Sequence, residues 1–277
     1  MSIFLTVLSA VCWSLYDLKR KQLAHAVSPL WLGLLLGALA LPLYLLANIV
    51  TASGMPQTDY WLPATASLGL STLAAVLFLS ALQRGNISEL VPLLSVSPVV
   101  AAVLSWYWLD QGLSPLQWLA GGMVVLLLVM FQGGIRSRWS LASYQMLTVA
   151  CCWGAGTVFD RQALIHSSPA LHGLIQTAGM VMALGVIVLV RRPPRPKRQR
   201  LLLPLSQAAV VFFAAVLLQF WALQDVHPGV VELVKRSVGI LGAVVWGYWL
   251  FSERLRREQW LLLPLIIAAI AGVLIQG

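Results

Sequence analysis

Ten apolar runs, each of about 17–22 residues, follow one another along the chain, with short polar breaks between them. They fall near 3–22, 29–50, 61–82, 88–109, 116–134, 141–162, 169–190, 201–222, 230–251 and 260–276. A helix of about 20 apolar residues crosses the roughly 30 Å hydrocarbon layer of a bilayer. The pattern therefore predicts an all-α membrane protein with ten transmembrane helices. The fourth run contains Pro92 and Pro98, which remove backbone donors and predict a kink. Gly33 and Gly37 give the second run a small-residue face for close packing. The ninth run carries Glu232, Lys235 and Arg236 about one turn in from its start. On insertion scales each charge there costs roughly 2.5–3.5 kcal/mol, so these residues pair, face water or hold a ligand.

Composition agrees with the pattern. The chain is 60% hydrophobic and 10% charged, against about 25% charged in soluble domains. The net charge of +9 reads first as a topology signal, because Lys and Arg collect on the cytoplasmic side. The odd-numbered loops hold Lys19 to Lys21, Arg84, Arg136, Arg138, the basic stretch 191–200, Arg254, Arg256 and Arg257. The even-numbered loops hold Asp59, Asp110 and Asp225. The bias predicts a multi-pass protein of a bacterial-type inner membrane with both termini outside. With no soluble domain to carry the charge, nucleic acid is not an expected partner. The stretch 191–200 (RRPPRPKRQR) reads as a solvated connector. The start of the chain lacks a charged n-region and a cleavage site, so its first run reads as a retained span. Cys12, Cys151 and Cys152 show neither metal-ligand nor disulfide spacing.

The sequence repeats itself. Cys12-Trp13 matches Cys152-Trp153, Ser28-Pro29 matches Ser168-Pro169, and Ala81-Leu82-Gln83 matches Ala222-Leu223-Gln224. Glu89-Leu90-Val91 matches Glu232-Leu233-Val234, and Gln117-Trp118 matches Gln259-Trp260. Ordered matches of Trp, Pro, Gln and Glu exceed what apolar composition alone produces. Two five-helix halves follow, 1–138 and 139–277. Five is odd, so the second half lies inverted relative to the first. Inverted halves are the build of secondary transporters, with the substrate at their interface near mid-membrane.

Ten helices, inverted 5+5 halves and the ending Phe251-Ser252-Glu253-Arg254-Leu255 together resemble the drug/metabolite transporter superfamily, EamA-type branch. Leu109-Asp110-Gln111-Gly112-Leu113 is a weaker first-half counterpart of that ending. The resemblance implies a basket of helices 1–4 and 6–9 around a cavity, helices 5 and 10 outside it, and transport by alternating access. Val234-Lys235-Arg236-Ser237-Val238 is also similar to the ninth-helix Lys-Arg pair of plastid phosphate translocators, which binds the substrate's phosphate.

Lys235 and Arg236 are accordingly candidate anion-binding groups: Arg offers a bidentate fork and Lys a point charge. Glu232 stands three and four residues before them and neutralises one of the two. A self-neutralised cluster that eases insertion is the plainer alternative. The repeat places Pro92 and Leu93 opposite Lys235 and Arg236, so the cations belong to one half only. Trp13 and Trp153, repeat-related and mid-helix, are candidates to line the site. Asp160 and Arg161 join Glu232, Lys235 and Arg236 as a candidate outer gate. Asp17, Lys19, Arg20, Lys21 and Glu89 form the candidate inner one, with Lys19 to Lys21 also fitting the positive-inside bias. The acids Asp17 and Glu89 are candidates for a coupling role. His25, His166, His172 and His227 are scattered without ligand spacing.

The expected function is a secondary transporter of a small phosphate- or carboxylate-bearing metabolite. The alternatives are a flippase for a polyisoprenyl-phosphate-linked lipid, an exporter of neutral or amphipathic metabolites or amino acids, and a non-transporting membrane sensor or scaffold. Phosphate-loop and hydrolase signatures are absent from the sequence, so no enzyme activity, cofactor or metal is expected. Partners are the solute and membrane lipids, in a monomer or homodimer. A cysteine placed at Gly277 is expected to react with a membrane-impermeant maleimide in intact cells; reaction only after permeabilisation would reverse the topology.

Overall fold

The computed structural model describes residues 1–24, 26–84, 90–131, 140–194, 196, 201–251 and 257–275. Its α-helices are α1 (Ser2–Leu23), α2 (Pro29–Val50), α3 (Trp61–Arg84), α4 (Ser97–Leu109) and α5 (Pro115–Phe131). The second set is α6 (Leu141–Leu164), α7 (Pro169–Arg191), α8 (Leu202–Leu223), α9 (Pro228–Phe251) and α10 (Arg257–Ile275). A 3₁₀ turn, Val91–Val96, leads into α4, and another, Thr58–Tyr60, leads into α3. The chain is an all-α membrane protein with ten helices, close to the ten apolar runs of the sequence.

Local chemistry sets several helix ends. Pro29, Pro169 and Pro228 open their helices, where a missing N–H costs nothing. The Ser168 hydroxyl accepts from the Leu171 N–H, and Ser140 and Ser143 form a reciprocal capping box. His227 caps α9 from outside it. Its Nε2–H donates to the Gln111 carbonyl (3.0 Å) and its Nδ1 accepts the Gly229 N–H (3.1 Å). Burial holds this imidazole below its ordinary pKa, in keeping with one donor and one acceptor nitrogen. Pro92 and Pro98 break the fourth element as expected: a 3₁₀ turn meets an α-helix at Ser97.

Five described helices are long and apolar enough to cross a membrane: Ser2–Leu23, Pro29–Val50, Thr58–Phe78, Pro169–Arg191 and Leu202–Leu223. Shorter apolar helices lie at Leu93–Leu109 and Pro115–Phe131. The polarity is that of a membrane protein. Large side chains such as Leu46, Ile49, Val50, Leu189, Val190, Leu202 and Leu203 are exposed, whereas Asp160, His172, Gln219, Glu232 and several Ser and Thr are buried.

The helix contacts have an internal exchange symmetry. α1 packs on α8 and α9, and correspondingly α6 packs on α3 and α4. α2 packs on α8, as α7 does on α3. The pairs α2–α7, α4–α9 and α5–α10 map onto themselves when α1–α5 are exchanged with α6–α10. α5 and α10 pack mainly on each other and on α9, with Val124, Leu127, Leu128 and Phe131 against Ile266, Ile270 and Val273.

Glycines set the closest approaches. A Cβ at Gly37 would meet Val181 at 2.7 Å, and one at Gly33 would meet Leu184 at 3.1 Å, so the small face of α2 receives α7. A Cβ at Gly154 would run into the Ser97 carbonyl and Val100 Cβ (2.9 Å), and one at Gly242 into Ser14. These are the α6–α4 and α9–α1 contacts, which correspond under the exchange. Gly239 has open space instead. Gly154→Ala is expected to lower stability by about 1–3 kcal/mol, as overpacked interiors do, while Gly239→Ala is neutral. Thermal denaturation in detergent reads the difference, and equal midpoints would refute the close approach.

A candidate anion site between two tryptophans

The site is built on the second turn of α9. Glu232 is 0% exposed. Such a carboxylate is held only when its oxygens are met by donors. Lys235, one turn on, donates to Oε1. The Thr157 hydroxyl of α6 lies 2.9 Å from Oε1 and 3.1 Å from the Trp153 carbonyl; its single proton favours the charged acceptor. The Ser97 hydroxyl, at the break before α4, donates to Oε2 over 3.2 Å. One carboxylate thus ties α4, α6 and α9 together.

The cations divide between the halves. The Lys235 ammonium lies 5.7 Å from the ring centre of Trp13 on α1, and the Arg236 guanidinium 5.4 Å from that of Trp153 on α6. Both distances lie within cation–π range. Arg236 Nη2 donates to the Ser97 hydroxyl over 3.3 Å, and its buried Nε has no partner among the described residues. The Lys235 side chain remains 21% exposed. The two rings are held differently. Trp13 Nε1 donates to Gln219 Oε1 (2.8 Å), whereas Trp153 meets the tilted Phe78 ring at 5.6 Å between centres. Phe78 is the first-half counterpart of Gln219.

The other candidates distribute as follows. Asp17 is on α1, one turn beyond Trp13, with its side chain 64% exposed and 3.5 Å from Arg20. It also lies in the electrostatic field of Arg236 and Lys235. Arg20 covers the Tyr16 ring at 5.3 Å, and Lys19 donates to Gln207 of α8 (3.1 Å). Asp160 and Arg161 do not join the Glu232 cluster. Asp160 accepts from Ser67 and pairs with His172 (3.1 Å), while Arg161 donates to the Leu223 carbonyl. Glu89 lies outside the described residues. Ser97, Thr157, Gln219 and the His172 pair carried no signal of their own in the sequence.

Apolar exterior, buried charge and two exchangeable five-helix sets define a multi-pass helical membrane protein. The EamA-like transporter family model matches residues 1–131 and 141–275, and the chain belongs to that family of membrane transporters. No curated relative matches it. A solved structure described as "Crystal structure of protein" superposes with a TM-score of 0.83 at 14% identity, covering 100% of this chain and 99% of its own. At that identity the likeness shows a shared fold. The plastid translocator resemblance rests on Lys235-Arg236 alone and has no support from these comparisons.

Replacing Glu232 by Leu leaves two cations with no described carboxylate within ion-pair reach. The expected loss is about 3 kcal/mol, the low end for a broken buried pair because Lys235 is only partly buried. Adding Lys235→Met to Glu232→Leu is expected to restore part of it. Chemical denaturation checks both, and additive losses would show that the pair is not coupled.

Proposed function

We propose that this chain is a secondary transporter of a small anionic solute, phosphate- or carboxylate-bearing, that crosses the inner membrane by alternating access, with Lys235 and Arg236 as its anion-binding groups. One observation carries the reading. Among the described residues the two cations have one carboxylate within ion-pair reach, Glu232, and it is already met by Lys235, Thr157 and Ser97. Arg236 is left with one serine hydroxyl, a tryptophan face and an unpartnered Nε. A positive charge remains for a ligand, and a guanidinium with open donors is the group suited to an oxyanion.

The surroundings suit reversible binding. Aromatic faces stabilise the cations without consuming their N–H donors, so the empty site is tolerable and the filled site is not irreversibly tight. The cations lie on one half, and Trp13 and Trp153 come from both. The halves are taken as 1–138 and 139–277, both termini outside. An anion bridging the cations would then sit where α1 and α6 meet α9, so movement of one half against the other changes its exposure. Asp17 and Arg20, one to two turns beyond Trp13 on α1, act as the inner closure.

The purified protein is to be heated with inorganic phosphate, a dicarboxylate and a monovalent amine. Anions are expected to raise the midpoint; at about 100 times Kd the stabilisation approaches 2.7 kcal/mol. Lys235→Met and Arg236→Met each weaken the response, and the double variant abolishes it. No effect of any anion, or an unaltered response in the double variant, would sink the proposal.

A further inference from the structure

Away from the cations, a second buried polar chain crosses four elements. Tyr60, at the turn before α3, meets His172 Nδ1 of α7 through its hydroxyl at 3.0 Å. His172 Nε2 meets Asp160 Oδ1 of α6 at 3.1 Å, and the Ser67 hydroxyl of α3 donates to the same oxygen. Tyr60 and His172 are fully buried, and Phe220 of α8 covers the imidazole at 4.6 Å. The repeat places Leu32 opposite His172 and Arg20 opposite Asp160, so this chain too exists in one half only.

We propose that Asp160, His172 and Tyr60 form a proton-binding site whose occupancy is linked to the anion site through α6, in the sense of proton–anion symport. The linkage, though not the proton site, rests on reading Lys235 and Arg236 as anion-binding. Three features support it. First, no described side chain donates to Asp160 Oδ2, and the Asp160 side chain keeps 13% exposure where the imidazole has none. Second, the hydroxyl of tyrosine both donates and accepts. With His172 neutral, Tyr60 donates to Nδ1 while Nε2–H donates to Asp160. With His172 protonated, Nδ1–H donates to the Tyr60 oxygen and the heavy atoms stay in place. Histidine is also the side chain that ordinarily changes charge between pH 5 and 8. Third, Asp160 follows by three residues Thr157, which holds Glu232, and by seven Trp153, which carries Arg236. One rigid helix therefore spans both sites. A proton adds positive charge to a site sharing that helix with the anion cradle, so anion binding should tighten as pH falls.

The charged and titratable neighbours leave the pair to itself. Arg161 on α6 is turned to the Leu223 carbonyl. α3 faces the pair with Ser67, and Asp59 beside Tyr60 is exposed. Tyr44 of α2 packs against Gly173, next to His172. α8 contributes Phe220, Glu232 of α9 is bound by Thr157, one turn before Asp160, and His166 is turned to Gln57 (3.0 Å).

Nitrogen-15 NMR of histidine-labelled protein in nanodiscs, assigned with His172→Gln, tests the proton site without any anion. The His172 ring nitrogens are expected to change with pH, and the change to be displaced by Tyr60→Phe and by Asp160→Asn. Ring nitrogens that do not change, or a transition indifferent to Asp160→Asn, would overturn the site. Inorganic sulfate, whose charge is constant over this range, tests the linkage. Its Kd should fall at least about five-fold from pH 8 to pH 6, at the lower end of typical coupling. His172→Gln should flatten that dependence, Tyr60→Phe (the milder change) should reduce it, and His166→Gln should retain it. Sulfate binding that is equal at both pH values, or still pH-dependent in His172→Gln, overturns the linkage. No sulfate binding at all overturns the anion site and the linkage together, leaving the proton site to the NMR result.

Discussion

The Glu232 carboxylate fixes the middle of this protein. A charge with no exposure is tolerated only when its donors are in place, and here they come from three helices: Lys235 on α9 itself, Thr157 on α6 and Ser97 at the start of α4. Every neighbouring feature adjusts to that need. α6 approaches α4 closely enough to share the carboxylate because residue 154 is glycine. The 3₁₀ turn before α4 brings Ser97 to the contact, and it exists because Pro92 and Pro98 cannot continue a regular helix. The carboxylate orders the site, and it leaves Arg236 to Ser97 and the face of Trp153.

Much of the fold was legible because a bilayer imposes simple constraints. The length of the apolar runs gave ten helices, and Pro92 and Pro98 gave the break in the fourth. The exchange of contacts between α1–α5 and α6–α10 follows the ordered matches of Trp, Gln, Pro and Glu. Of the site, Glu232 and Lys235 were legible from their helical spacing, and Trp13 and Trp153 from the repeat. Ser97 and Thr157 were not, because hydroxyls within spans usually turn back to their own helix, as Thr6, Thr65 and Ser237 do here. His172 was hidden for another reason: its partner Tyr60 is 112 residues away in sequence, and no spacing rule connects them. Asp160 and Arg161 were grouped with Glu232, Lys235 and Arg236 because their helix end lies on the same side as that cluster, but the two side chains point apart and each finds its partner on a different helix.

The confinement of Lys235 and Arg236 to one half has a physical reason. α4 and α9 correspond to each other under the exchange, and they also touch. Residues near that contact therefore meet their own counterparts. Arg236 reaches Ser97, four residues beyond Leu93, which is the position equivalent to Arg236. A Lys-Arg pair in both halves would gather four cations across one helix crossing. At about 6 Å and an effective dielectric constant near 20, each like-charged pair costs about 3 kcal/mol. The prolines of the fourth element avoid that repulsion and also deliver the hydroxyl that binds both Glu232 and Arg236. The halves thus share an architecture but not a chemistry. One supplies the break and the serine, the other the charges, and each lends a tryptophan to one cation. Such a site is complete only when both halves are in contact, as it must be if their relative movement is to release what it holds.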